Sequence, residues 1–477
     1  MATNPMKISH AQSQAFAKLS GDHNPIHLDP LYARRLPFGQ SVVHGLHGVM
    51  LALDLLLAQC ERPHALVKLK VRFSRPIGHD QPFTHQLQKK EGGHFRIKLQ
   101  AQSHICTTLS GQLIPAAEVK AVARPDLPEM MAPHRADWKE IVAAEGTIPL
   151  HWSCAEGRAL FPHLGRRLQG DQAAVLLALT RLVGMWLPGE HSLFGGFTFR
   201  FASIHTHEDP CLTYRVTHAD EARRLLELSL EGAMGKGGVS AFVRSVPVKQ
   251  VSLAALRQQV SPELLVGRRV LVVGGSRGVG EVIAKVALAM GAQVHVTYHR
   301  GSQEVDQLIQ EASQESLLLT SSPLNVLQCT PNPWPELWQK GPFDLLTYFA
   351  TPAISLNPYQ GWQQSLFDKY MSYYVAPFMR LAEVAMADKQ QPAQPMVMLQ
   401  PSTIFVAEPT VGALEYAGAK SALEICGRYL EAQHPSLAVL TPRLPRLLTD
   451  QTGMLDAELV KDPVPEVITL LKQCARS

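Results

Sequence analysis

Residues 19 to 29 read LSGDHNPIHLD, which sets a carboxylate at Asp22 and an imidazole at His27 on either side of an Asn24-Pro25 step. A tight turn at Asn-Pro lets the two side chains converge on one point, where they supply a general acid and a general base. Such a pair suits the addition or removal of water. Directly downstream the run VVHGLHGVMLALDLLLAQC is apolar over helical length. Gly45 opens that helix, so its amide can face a developing oxyanion from a helix N-terminus. His44 and His47 are read as packing the helix start. The competing reading is a polar loop in which Asp22 and His27 only cap nearby backbone.

A second constellation lies in the last third of the chain. The strand-like RRVLVVGG runs into VGGSRGVG and then into the helical EVIAKVALAMG. Gly274, Gly278 and Gly280 in this context allow close backbone approach to a pyrophosphate at a helix N-terminus, with Ser276 and Arg277 inside the loop. Tyr416 and Lys420 are spaced i to i+4 and share one helix face, where the ammonium is expected to lower the phenol's pKa and fit it for proton transfer. Cofactor choice is read from charge: the second strand ends in His299 and Arg300 rather than an acid, and Arg277 sits in the glycine loop, which favours NADPH over NADH. The competing reading makes these basic residues solvated surface.

The elements that must position these residues follow from the rest of the chain. With 477 residues, 46% of them hydrophobic, two or three separate cores are expected. The stretch MATNPMKISHAQSQAF has no apolar core flanked by a cleavage site, and no run reaches the roughly 18 apolar residues that cross a bilayer, so a soluble intracellular protein is expected. Seven cysteines without a CxxC pair fit free thiols in a reducing, cytoplasmic setting. The net charge of +4 is too small to argue for nucleic acid, though it suits anionic small molecules or an acidic carrier. Residues 116 to 146 and 247 to 266 read as linkers. The first two blocks repeat: VRFSRPIGHDQPF aligns with FRFASIHTHEDPC, placing Phe73 on Phe201 and Pro82 on Pro210, each 128 residues apart (201 − 73 and 210 − 82). FRIKLQAQ and LLELSLEG are corresponding strands. The HTHED stretch at 205 to 209 reads as a solvated loop rather than a metal site. The third block is βαβ in pattern.

The stretch FAKLSGDHNPIHLDPLYARRLPFGQSVVHG closely resembles the signature of the MaoC-like, (R)-specific enoyl-thioester hydratases, which have a hot-dog fold. That resemblance implies that Asp22 and His27 hold the water or hydroxyl and handle protons at C2 and C3, that the Gly45 amide binds the thioester oxygen, and that the helix from Val43 to Cys60 is wrapped by the sheet. The second repeat enters on HWSCAEGRALFPHLGRRLQGD, without the motif, and so resembles the silent half of the family's double hot-dogs, which completes an acyl tunnel. The glycine loop and the Tyr416/Lys420 pair together resemble the short-chain dehydrogenase/reductase family. This implies that Tyr416 protonates the substrate oxygen, Ser402 assists it, Lys420 binds the nicotinamide ribose and Thr449 contacts the carboxamide.

Departures are visible. TYFATP stands where that family has an NNAG-like run, and Tyr374 stands where its tetrad has asparagine. Ser402 is one residue further from Tyr416 than the family spacing, so either an insertion intervenes or Thr403 takes its part. The expected architecture is an α+β double hot-dog followed by an α/β Rossmann-type doubly wound parallel sheet, divided as 1–120, 121–250 and 262–477. The expected function is a bifunctional 3-oxoacyl-thioester reductase and (3R)-hydroxyacyl-thioester dehydratase using NADPH. It would act on coenzyme A or acyl carrier protein thioesters, as a homo-oligomer, with no metal. Arg34 and Arg35, just after the catalytic loop, are candidate contacts to either anionic carrier. An oxidative hydratase/dehydrogenase, or a hydratase joined to a nucleotide-binding scaffold, are the alternatives.

Overall fold

The computed structural model describes all residues except 1–4, 37, 118–131, 136, 203–210, 245, 247, 329, 331, 355–360, 388–394, 453–456 and 477. Pro210 and the HTHED stretch therefore lie outside the described residues, as does much of the expected linker at 116 to 146. The chain forms two compact units, Met1–Val246 and Pro247–Ser477.

In the first unit, alternation of apolar and polar residues produces nine antiparallel strands: β1 (His64–Phe73), β2 (Thr84–Lys89), β3 (His94–Ala101), β4 (His104–Pro115), β5 (Glu145–Pro149), β6 (Ser192–Phe201), β7 (Cys211–Asp220), β8 (Leu225–Gly232) and β9 (Gly235–Val243). They make one sheet in the order β2-β3-β4-β1-β6-β9-β8-β7-β5. The repeat seen in sequence sets the symmetry. β1 and β6 have bounds offset by the same 128 residues, since 64 + 128 = 192 and 73 + 128 = 201. They pair with each other, and Lys70 pairs with Thr198, its own repeat equivalent (70 + 128 = 198). A pseudo-two-fold axis thus passes through that pair.

Two apolar helices lie in this sheet, Gly45–Ala58 and Gly170–Arg181, and all twelve residues of the second are buried. One hydrophobic core contains both helices and both halves of the sheet. The expected repeats 1–120 and 121–250 thus share one core within the unit Met1–Val246. Polar groups stitch them. Asp54 of the first helix accepts the backbone amides of His163 and Leu164 at 2.8 and 2.7 Å. Gln172 of the second exchanges both amide bonds with the backbone of Leu66. Each of these buried groups finds its partner only across the seam, as buried polar groups must.

The second unit carries β10 (Arg269–Val273), β11 (Gln293–Tyr298), β12 (Leu319–Pro323), β13 (Leu345–Tyr348), β14 (Met396–Leu399), the short β15 (Ser402–Thr403), β16 (Leu437–Leu440) and the short β17 (Arg443–Leu444). The six longer strands are parallel in the order β12-β11-β10-β13-β14-β16, which is the 3-2-1-4-5-6 order of a doubly wound nucleotide-binding sheet. The region read as a linker at 247 to 266 belongs to this unit. Leu253 and Leu256 of the helix Leu253–Arg257 are fully buried in its core. Glu311 accepts the amide of Leu253 and pairs with buried Lys285, which also pairs with Glu281.

Phe199 is fully buried at the β1/β6 seam, opposite Leu69. Phe199→Ala is expected to cost about 3–5 kcal/mol in chemical denaturation. A loss under about 1 kcal/mol would show that the seam is not part of a shared core.

Candidate active site

Ser9 begins the helix His10–Ser20 with a capping box, and Gly21, at φ +72°, ends it in the left-handed conformation. The chain is thereby turned inward at Asp22, which is almost wholly buried. Asn24 then does not merely turn the chain. It caps the one-turn helix Pro25–Leu28 by accepting the amide of Ile26, and this places His27 on that helix. The Asn24 side-chain amide donates to the carbonyl of Gly184 at 2.8 Å and lies 3.1 and 3.2 Å from those of Gly189 and Glu190. The motif loop is thus anchored on the second half of the hot-dog.

Asp22 and His27 converge as their spacing implied, and His44 joins them. One ligand atom from each of Asp22, His27 and His44 lies within 4.8 Å of the others. His27 Nδ1 is 2.7 Å from the Val42 carbonyl, which can only accept, so Nδ1 carries the proton and Nε2 is the basic nitrogen. His44 Nε2 donates to the Asp22 carbonyl at 3.0 Å, and its ring stacks on that of His27 with centroids 3.8 Å apart. His44 therefore orients both members of the pair, beyond the packing expected of it. His47 does pack, stacked on Phe16 at 4.7 Å.

The most consequential contact comes from the half that lacks the motif. Thr180 Oγ1 donates to Asp22 Oδ2 at 2.6 Å, while the Asn24 backbone amide donates to Oδ1 at 3.2 Å. Thr180 lies near the end of the second central helix, which continues as one turn of π-helix at Leu182–Trp186. Gly184, in that turn, makes room for the carboxylate: a Cβ there would lie 2.2 Å from Asp22 Oδ1. π-Helical turns recur at functional sites. Sequence reading missed Thr180, Gly184 and Asn24 as site residues. Only the Gly in an apolar helical run hinted at a close approach.

Burial pushes the Asp22 carboxyl up from its ordinary pKa and the His27 imidazole down, each partly offset by the other's charge. Burial also holds His44 well below the usual imidazole range. The carboxyl thus tends to keep a proton and the imidazole to lack one, the division of labour an acid–base pair needs. Arg181 donates to the Ser20 carbonyl at 3.0 Å and to that of Pro149, beside the pair.

A cavity of about 340 Å³ opens on these groups. Its walls include Gly45, Gly48, Phe73 and Ile77 from the first half, and Thr180, Val183, Phe194 and Phe242 from the second. A Cβ on Gly45 would lie 2.7 Å from the Phe73 ring, so only glycine lets that ring close beside the helix N-terminus. First-turn amides have no intrahelical partner, which leaves this end of the helix suited to an oxyanion.

In the second unit the glycine loop has the form its spacing implied. Gly274 has φ +82° and Gly278 φ +60°, and a Cβ on Gly280 would strike the Gly274 carbonyl at 2.3 Å. Ser276 and Arg277 are half-buried in the loop, whereas His299 and Arg300 are exposed just beyond β11. Thr449 lies against the loop, its methyl 3.8 Å from the Cβ position of Gly278.

Three expectations around Tyr416 change. Ser402 does not serve the phenol; its hydroxyl donates to Glu424 at 2.5 Å, and Glu424 in turn holds Arg443. Thr403 is instead the hydrogen-bond partner of Tyr416. The phenol's pKa is raised rather than lowered, because burial outweighs that bond. Lys420 does not offset it, since its Nζ donates to the Pro401 carbonyl at 2.7 Å and sits 3.9 Å from the centroid of the Tyr374 ring, against 5.9 Å for Tyr416. Burial lowers Lys420 to about 7. Tyr374, expected from the resemblance to stand in an asparagine's place, is itself bonded to Thr351 at 2.7 Å.

The Thr180 contact is testable. Thr180→Val keeps shape and removes the hydroxyl. A hydrogen bond to a charged group is worth about 1.5–3 kcal/mol, so kcat for hydration of an enoyl thioester should fall roughly 10- to 100-fold with little change in KM. Gly184→Ala should be at least as damaging. Wild-type kcat in Thr180→Val would remove the second half from the acid–base machinery.

Comparison with known proteins identifies the first half. The family model described as MaoC like domain matches residues 1–108. Among characterised proteins, the chain is 35% identical over 72 residues to a 3-hydroxybutyryl-CoA dehydratase of Methylorubrum extorquens, covering 15% of this chain and 46% of that one. It is 33% identical over 72 residues to 3-hydroxyacyl-thioester dehydratase X of Mycobacterium tuberculosis, covering 15% and 25%. It is 60% identical over 37 residues to the fatty acid synthase beta subunit stcK of Emericella nidulans, covering 8% and 2%. The matches thus span less than half the length of these relatives. Similar solved structures include a short-chain dehydrogenase/reductase from Serratia marcescens (18% identity, TM-score 0.39, 44% of this chain and 91% of that) and the FolM alternative dihydrofolate reductase 1 from Brucella suis in complex with NADP (18%, 0.39, 45% and 90%). Residues 1–108, which carry Asp22 and His27, match the MaoC like domain.

Proposed function

We propose that the first unit is an (R)-specific enoyl-thioester hydratase/dehydratase and the second an NADPH-dependent 3-oxoacyl-thioester reductase, acting in sequence in fatty-acid or polyketide synthesis. The observation that carries this reading is the buried Asp22–His27 pair facing a cavity walled by both halves of the hot-dog. In the dehydrating direction, His27 Nε2 takes the proton from C2. The C2–H electrons form the C2=C3 bond, and the C3–O bond breaks as Asp22 gives its proton to the departing hydroxyl, releasing water. The Gly45 amide faces the thioester oxygen, on which charge develops. The pKa directions of Asp22 and His27 support this assignment of acid and base.

The residues of the second unit fit a dinucleotide. The loop at Gly274, Gly278 and Gly280 leaves the space that a Cβ would fill, at the N-terminus of the helix Gly278–Ala289. Bound NADPH supplies the hydride. Tyr416, held by Thr403, supplies the proton for the substrate oxygen, and Arg277, His299 and Arg300 provide positive charge for a 2′-phosphate. One observation favours a second reading. Lys420 is bonded to Pro401 and lies closer to the Tyr374 ring than to that of Tyr416, as a unit that binds nucleotide but reduces slowly would have it.

Asp22→Asn and His27→Ala are each expected to lower crotonyl-thioester hydration about 100-fold or more, and the double variant to be little worse, because the pair acts as a unit. NADPH oxidation should be untouched. Near-wild-type hydration by Asp22→Asn would reject the site. For the second unit, Tyr416→Phe should abolish NADPH oxidation by 3-oxoacyl thioesters while sparing NADPH binding and hydration. Equal wild-type affinities for NADPH and NADH would instead favour the oxidative direction, and NADPH binding with no turnover would favour the scaffold.

A further inference from the structure

The six strands β2, β3, β4, β1, β6 and β9 contain no Asp or Glu. On their solvent face stand Arg96 of β3, Lys68, Lys70 and Arg72 of β1, Arg200 of β6 and Lys236 of β9, all exposed. The period of two places Lys68, Lys70 and Arg72 on one side of β1, with Leu69 and Val71 buried on the other. The register brings like charges together: Lys68 is opposite Arg200, and Arg200 is opposite Lys236. Directly opposed like charges destabilise a sheet. None of the six makes an ion pair among the described residues. Acids return only at β8, where Glu231 stands opposite Lys236.

Four strand spacings from β3 to β9 and four residues along β1 make a patch of about 19 by 13 Å. It is not isolated from the site. β1 runs from Lys68 through Arg72 into Phe73, Ser74 and Arg75, which line the cavity. We infer that this outer face of the sheet is the docking surface for an acidic carrier protein that delivers the acyl thioester to the cavity. The inference rests on the proposed hydratase activity and names the form in which its substrate arrives. Charge complementarity selects the partner. A second copy of this chain would bring the same cations face to face. A single-stranded nucleic acid would want aromatic side chains interleaved with the cations, and among the six basic residues' strands only Phe242 is an exposed aromatic. Arg34 and Arg35, the contacts expected from sequence, are both half-buried and already engaged.

The test compares carriers. In Lys70→Glu/Arg72→Glu, the KM for a crotonylated bacterial-type acyl carrier protein should rise about tenfold or more with kcat unchanged, while KM and kcat for crotonyl-coenzyme A stay at wild type. Raising salt should weaken the wild type on the carrier protein and flatten the difference from the variant. Lys70→Gln/Arg72→Gln, which removes charge without reversing it, should lie between them and guards against misfolding of the glutamate variant. Unchanged KM on the carrier protein, or an equal rise on coenzyme A, overturns the inference. Loss of binding to a duplex or an anionic vesicle, with carrier KM intact, overturns it in favour of those partners. If the wild type hydrates neither substrate, the hydratase reading has failed, and anisotropy with the labelled holo carrier protein still decides docking: wild-type binding abolished by the double substitution supports it, and no wild-type binding rejects it.

Discussion

A buried carboxylate at Asp22 is the constraint around which the first unit is organised. Removing an ionisable group from water is costly unless hydrogen bonds replace the lost solvent. Here the replacement comes from two chain segments, the backbone amide of Asn24 on one side and, 158 residues from Asp22, the Thr180 hydroxyl on the other. The carboxylate can therefore be satisfied only after the two halves have packed. The proposed acid–base pair is thus completed across the seam, and the half without the motif supplies one of its hydrogen bonds.

The same economy governs the surroundings. Asn24 and Arg181 tie the motif loop and the second central helix to backbone carbonyls across the seam. Gly184 and Gly45 each mark a place where a methyl group would collide, with the carboxylate in one case and the Phe73 ring in the other. Polar groups that are fully satisfied in a dry interior become rigid, and rigidity holds an acid and a base at working distance. His44 adds to this by stacking under His27 while holding the Asp22 backbone.

The second unit shows burial acting on charge without such complete compensation. Its parallel sheet and glycine loop have the form proposed to bind a dinucleotide, and tyrosines crowd the helix Leu414–Gln433. Tyr374 covers Lys420 and binds Thr351, and Tyr370 and Tyr374 both contact the Tyr416 ring. In this apolar setting the lysine is easier to deprotonate and the phenol harder. Whatever chemistry the unit performs, these side chains set its proton inventory.

Much of this was legible in sequence. The repeat was, because a strand's alternation and a 128-residue offset survive in residue types, and the βα transition at the glycine loop was, because Gly, strand and helix signals are local. Asp22, His27, Gly45, Gly274, Gly278 and Gly280 could be named as candidates for the same reason: the case for each rests on near neighbours in the chain. Tertiary structure alone decided that Thr180 serves Asp22, that Thr403 rather than Ser402 serves Tyr416, and that Lys420 turns to Pro401. It also drew residues 247 to 266 into a core. Each of these depends on which distant groups share a buried volume, and hydrogen bonds there are allotted by geometry and desolvation, which leave no spacing in the chain to be read.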